Sequence, residues 1–281
     1  MNAAVEEKTL LPLLNGVDIP PSPAILMALN AELKKESADQ REIARLISQD
    51  VALSGHVMLI ANSPLFSGGR KMASIMQALN VLGSQQVFNL VVSQLLKLAL
   101  SDNQNAAMDR FWESSAKTAA VSAELARRLR CVRPDVAYTF GLFHDCGIPL
   151  MMKRFPNMRE VLGAANQADD QLFTDVEEAA LGTSHAVVGY FLAKRWHLPD
   201  SVCEAIRNHH DYSVLVESGR VSDTARGLIA VVVLAEHVIR LHGSGNGELE
   251  WGKAAERACA YFKLSLGGVD DLIEDMLDSL A

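Results

Sequence analysis

No two of the four cysteines, Cys131, Cys146, Cys203 and Cys259, lie at C-x-x-C spacing. A disulfide framework is therefore not expected, and reduced thiols in a cytoplasmic setting are. Aromatics are scarce at 6%, and with abundant Ala, Leu and Val this favours helices over a β-sandwich. No apolar run approaches the roughly 18 residues of a membrane span. The longest, Leu228 to Ala235, reads as a buried helix face. The N-terminus, MNAAVEEKTL, carries two Glu where a signal peptide would carry Lys or Arg. Basic residues are outnumbered, 26 Lys and Arg against 34 Asp and Glu, for a net charge of −8. The chain thus lacks a general electrostatic footprint for phosphates. Export, membrane insertion and default nucleic-acid binding are not expected.

What is present is a long, apolar, helix-forming chain. Its 281 residues suit one large domain or two modest ones, and 49% apolar against 21% charged residues rules out wholesale disorder. Helical spacing recurs along it. Leu26, Leu29 and Leu33 follow the extended entry Ile19 to Pro23. Ile43, Leu46 and Ile47 mark a second helix, and Leu53, Val57 and Ile60 a third that ends at Asn62-Ser63-Pro64. Ser74 caps a short helix that Gly83 stops, and Ser84 caps the next. A polar loop, Ser101 to Ala107, precedes a long helix starting near Phe111. Pro134 fits the first turn of a helix reaching about His144. Further helices are expected from Ser184 to Trp196, Asp200 to His209 and Ser222 to Leu241. A flexible loop, His242 to Gly247, and two terminal helices follow. The last carries Val269, Leu272, Ile273, Met276, Leu277 and Leu280 on one face, to be docked on its own domain or, as the alternative, in a dimer. No alternating strand pattern appears. The fold class is all-α.

His144, His185 and His209 each fall at helical spacing behind apolar residues: Ala137 and Phe140, the face from His185 through Val188 to Trp196, and Val202 and Ile206. All three imidazoles are thus expected to point inward. Asp145 adjoins the first and His210 the last. Imidazole with carboxylate suits Zn, Mn, Fe or Ni. An adjacent His-Asp pair can serve one site if its helix ends there, as Cys146-Gly147 suggests. The alternative is core histidines bonded to carbonyls, with no ion. Glu236 lies on the face of Leu228, Val232, Ala235 and Ile239, as a ligand or as an edge carboxylate reaching water.

These residues resemble the HD superfamily, and within it the HDOD domains of bacterial signalling proteins. The resemblance rests on Leu46-Ile-Ser-Gln-Asp-Val-Ala-Leu53 with Ala61-Asn-Ser-Pro64, and on Ser74-Ile-Met-Gln-Ala-Leu-Asn-Val-Leu-Gly83. A third series runs from Phe111-Trp112 through His144-Asp145, Leu181-Gly-Thr-Ser-His185 and Trp196-His-Leu-Pro199 to His209-His210. It implies an HDOD domain over 16–213, with an N-terminal helical half (16–100) packed on an HD-like half (111–213). The segment 214–281 would be a helical extension completing that core. It also implies His144, Asp145, His185, His209, His210 and Glu236 as metal positions. Two of the superfamily's ligands are replaced. Ser114 stands where the first His belongs, and Glu236 where the late Asp belongs. No Gly-Tyr-Pro sequence follows His210, so the signature of the cyclic dinucleotide phosphodiesterases is missing.

The resemblance implies a non-catalytic bacterial signalling module with a degenerate site, contacting an unidentified signalling protein. The alternative is a metal-dependent phosphohydrolase. A third reading, nucleic-acid regulation, has only the cluster Arg127, Arg128, Arg130 and Arg133 behind it, and such a cluster usually complements a helix C-terminus.

Overall fold

A computed structural model describes residues 11–67, 69, 71–100, 106–217, 219–241 and 248–278. Every regular element among the described residues is helical. The chain divides into two compact units. One comprises 20–113 with 193–198, and the other comprises 1–19, 114–192 and 199–281. The division falls within two helices, Ala106–Leu129 and His185–Arg195.

The smaller unit holds Ala24–Leu33, Gln40–Ser48, Val51–Ala61, Ile75–Leu82 and Ser84–Leu100. Three of these helix starts are set by side chains that accept otherwise unpaired backbone N–H groups. Asp39 accepts from Arg41, Asp50 from Ala52 and Leu53, and Ser74 from Gln77. Gly83, at φ +83°, stops the fourth helix. Ser84 is the first residue of the next helix, not a cap before it. Leu26, Leu29, Ile43, Ile47, Leu53, Val57 and Leu79 are sealed from solvent as one core.

The larger unit carries the histidines. Its centre is Asp223–Leu241, a helix buried along its whole run from Gly227 to Ala235. Each large apolar side chain sealed there contributes about 1.5–3 kcal/mol. Pro134–Phe143, Asp200–Asn208 and Glu248–Phe262 pack around it. His237 stacks on Trp251, with centroids 3.7 Å apart, and fixes the last of these contacts. Three helices that periodicity left unassigned, Gly147–Arg154, Met158–Gln167 and Phe173–Leu181, fill the stretch between Cys146 and Gly182. The long helix begins at Ala106, five residues before Phe111. Leu266–Asp278 lies against Glu248–Phe262 and buries Val269 and Ile273. The 242–247 loop, residues 101–105, and the side chains of Met276, Leu277 and Leu280 lie outside the described residues. No single helix among the described residues is long and apolar enough to cross a membrane.

Candidate metal centre

The histidines reach one place because they sit at helix ends, not along helix faces. Pro134 opens its helix at the first turn, where its missing N–H costs nothing. That helix ends at Phe143, and the next begins at Gly147. His144 and Asp145 occupy the break, so consecutive side chains turn toward the same point. Gly147 is obligatory here, since a Cβ on it would overlap the His185 carbonyl oxygen. His185 opens its own helix after a turn through Gly182, at φ +71°, a conformation that glycine adopts without strain. Ser184 Oγ accepts from the Val187 N–H at 3.5 Å. His209 terminates Asp200–Asn208, and His210 follows it.

Asp145 is the hub. Its Oδ1 lies 3.3 Å from His185 Nε2 and 3.3 Å from His209 Nε2. Its Oδ2 lies 3.3 Å from His144 Nε2. Donor atoms of Asp145, His185, His209 and His210 all fall within 4.8 Å of one another. His144 is outside that group of four and instead meets Glu236 Oε1 at 3.2 Å. Glu236 takes the edge position that was one of its two expected placements: it stands at the rim with its side chain 45% exposed, while its apolar neighbours are buried. Ser114 is exposed, while its neighbour Ser115 is buried.

Each imidazole is held by its other nitrogen. The Nδ1–H groups of His144 and His209 donate to the carbonyls of Gly141 and Ile206, both at 2.8 Å. His185 Nδ1 donates to Glu177 Oε2 at 2.6 Å, and the same oxygen accepts the His185 backbone N–H at 3.0 Å. His210 Nδ1 donates to Glu250 Oε2 at 3.1 Å. A carbonyl or carboxylate can only accept, so these contacts assign the Nδ1–H tautomer and turn the Nε2 lone pairs inward. The Nε2 atoms of His185 and His209 are 3.2 Å apart. Two lone pairs at that distance repel unless a proton or a cation lies between them. The donor set therefore fits a transition-metal ion, with the outer hydrogen bonds that orient such ligands already made.

The charges follow. Burial alone would lower the His144 pKa, but the Asp145 and Glu236 carboxylates raise it well above the usual value. Burial likewise opposes charge on His185, and Glu177 and Asp145 push it up to about 10. Asp145 is held well below the carboxylate range, because His144, then His185 and His209, outweigh its burial. His210 goes the other way, to about 3, through burial and repulsion from the neighbouring His209. Glu250 falls to about 2, because contacts with His210, Lys253 and Tyr212 outweigh its burial. Apart from metal, the site holds protons on one side and a neutral imidazole on the other.

Periodicity missed Glu177, Phe173, Tyr212, Glu250 and Lys253. Phe173 stacks on His210 with centroids 4.7 Å apart. A signal for Glu177 did exist. Phe173, Glu177 and Leu181 recur at i, i+4 and i+8, which places a carboxylate in the middle of an apolar stripe. Elsewhere, a cleft of about 580 Å³ is lined by Arg127, Arg130 and Arg133 among others, and shares no residue with the histidine cluster. Arg127 and Arg128 pair with Glu124, and Arg133 pairs with Asp135.

An all-helical fold with a His-Asp break and further histidines at helix ends defines the class of protein. A family model for the HDOD domain matches residues 19–212, and the chain belongs to that family. An HDOD domain protein of unknown function from Geobacter sulfurreducens is 27% identical, with TM-score 0.66 over 99% of this chain and 95% of that one. A proposed phosphohydrolase from Shewanella amazonensis shares the fold at 23% identity, with TM-score 0.68 over 95% and 93%. A proposed signal transduction protein from Marinobacter aquaeolei does so at 22%, with TM-score 0.67 over 97% and 58%. An uncharacterized Treponema pallidum protein is 25% identical over 250 residues, which are 88% of this chain and 46% of that protein. The chain thus spans less than half the length of this curated relative.

Proposed function

We propose that the chain is a cytoplasmic regulatory module of bacterial signal transduction, in which Asp145, His185, His209 and His210 hold one divalent transition-metal ion, Zn, Mn, Fe or Ni. It acts through contacts with a partner protein and not by hydrolysis. The observation that carries this reading is the asymmetry about Asp145. On the Oδ1 side stand His185 and His209, each with its outer hydrogen bond made. On the Oδ2 side stand His144 and the half-exposed Glu236. A second ion there would rely on a rim carboxylate, and Ser114 is a poor divalent-metal ligand compared with imidazole. Electrostatics supports the same reading. The most accessible members of the cluster are Glu236, 45% exposed, and Asp145, 27% exposed, both acidic, so without a bound ion a phosphate ester meets like charge first.

The second reading, a metal-dependent phosphohydrolase, is favoured by the His144 to Glu236 contact, which gathers two further donors beside Asp145 Oδ2. A bound ion would supply Lewis acidity toward a phosphoryl oxygen. Metal analysis of protein purified without chelator, paired with turnover of bis(p-nitrophenyl) phosphate under added Zn, Mn, Fe or Ni, separates the two. One ion per chain without turnover is expected. Two ions with turnover that disappears in Asp145→Ala would establish the hydrolase.

A further inference from the structure

We infer that Glu250 is a positioning residue for His210, reaching it from a helix beyond the segment that matches the HDOD family. The family match ends at residue 212, and Glu250 lies on Glu248–Phe262. That helix packs against the Tyr212–Leu215 turn just after the paired histidines. The Glu250 carboxylate is fixed at both oxygens. Oε1 accepts from Lys253 Nζ at 2.6 Å, and Lys253 Nζ also donates to the Gln171 carbonyl at 2.8 Å. Oε2 accepts from the Tyr212 hydroxyl at 2.6 Å and from His210 Nδ1 at 3.1 Å. A carboxylate held this way offers His210 only an acceptor. It therefore selects the Nδ1–H tautomer and leaves the lone pair on Nε2, free to bind an ion. Phe173, stacked on the His210 ring with planes 10° apart, blocks the ring from tilting away. Without Glu250, nothing the structure pairs with Nδ1 would be an obligate acceptor, since the Tyr212 hydroxyl, 3.5 Å away, can donate as well as accept.

The orienting role stands on this geometry alone. Its consequence for ion affinity rests on the metal-centre reading. The experiment keeps the two apart by reading the metal-free full chain first. Imidazole nitrogen shifts from two-bond ¹⁵N–¹H spectra, with chelator present, report the His210 tautomer. The wild-type chain is expected to show Nδ1–H, and Glu250→Ala a mixture. Tyr212→Phe, which leaves the carboxylate in place, is expected to retain Nδ1–H. Circular dichroism and the unchanged spectra of His144 and His209 confirm that the variants fold. A zinc titration against a fluorescent chelator follows, where Glu250→Ala is expected to weaken affinity by about 10- to 100-fold. A His210 tautomer unchanged in Glu250→Ala overturns the inference, whatever the zinc result. An altered tautomer in a chain whose wild type takes up no zinc sustains it and removes the metal reading instead.

Discussion

Glu177→Ala is the perturbation whose size the structure defines best. Glu177 and His185 are both fully buried, with side-chain exposures of 0%. Glu177 Oε2 accepts two hydrogen bonds from His185, one from the ring and one from the backbone. Truncation would leave both donors in a sealed interior without an acceptor. Removing one partner of a buried charged pair costs roughly 3–5 kcal/mol, far above the effect of an exposed pair such as Arg45 with Glu42. Urea unfolding of the chelator-treated chain should show the midpoint falling by that equivalent at unchanged slope. Glu177→Gln should cost less, since its amide oxygen still accepts one bond. Zinc affinity should fall in Glu177→Ala, because His185 loses the group that orients its ring, and fall less in Glu177→Gln. If Glu177→Ala unfolds within about 1 kcal/mol of the wild type, the buried pair does not hold His185 as described.

Three other outcomes are expected. Gly147→Ala would force a methyl group into the His185 carbonyl oxygen, so it should destabilise by roughly 3 kcal/mol or more and abolish ion binding, which thermal melts and titration would check. Stability of the metal-free chain should peak near pH 6.5. Below it, His210 stays neutral in the folded chain down to about 3 while the unfolded chain gains the proton, so stability falls. Above it, His185 keeps its proton to about 10 while the unfolded chain loses it, so stability falls again. Each limb has a slope of up to roughly 1.4 kcal/mol per pH unit per proton, and a flat profile from pH 4 to 9 would count against these assignments. His209→Ala removes one of four donors and should weaken ion binding at least about 10-fold by titration, while Ser114→Ala, at an exposed position, should leave it unchanged.

Much of this was legible in residue order because it is local. The run Leu228 to Ala235 is buried, Pro134 stands at a helix start, and Ser74 caps as its spacing implies. Asp145, His185, His209 and His210 lie together, with His144 beside Asp145. Glu236 was left between two placements for a physical reason. Its helix is buried on nearly every side, so sharing a stripe with Val232 and Ile239 says little about the side that meets solvent. Glu250 was invisible for the opposite reason, while Glu177 showed only as a carboxylate inside an apolar stripe. A glutamate on a helix ordinarily reads as a solvated face, and only the packing of a distant segment shows that Glu250 holds His210. The helices from Gly147 to Leu181 are short and carry few large apolar residues at regular spacing, so periodicity alone did not separate them from loop.

The most direct measurement is the ion content and zinc affinity of the full chain, beside Asp145→Ala. One ion per chain in the wild type, with binding lost in the variant, is the expected result. A wild-type chain that takes up no Zn, Mn, Fe or Ni at micromolar concentrations, or one that binds equally well without the Asp145 carboxylate, would contradict it.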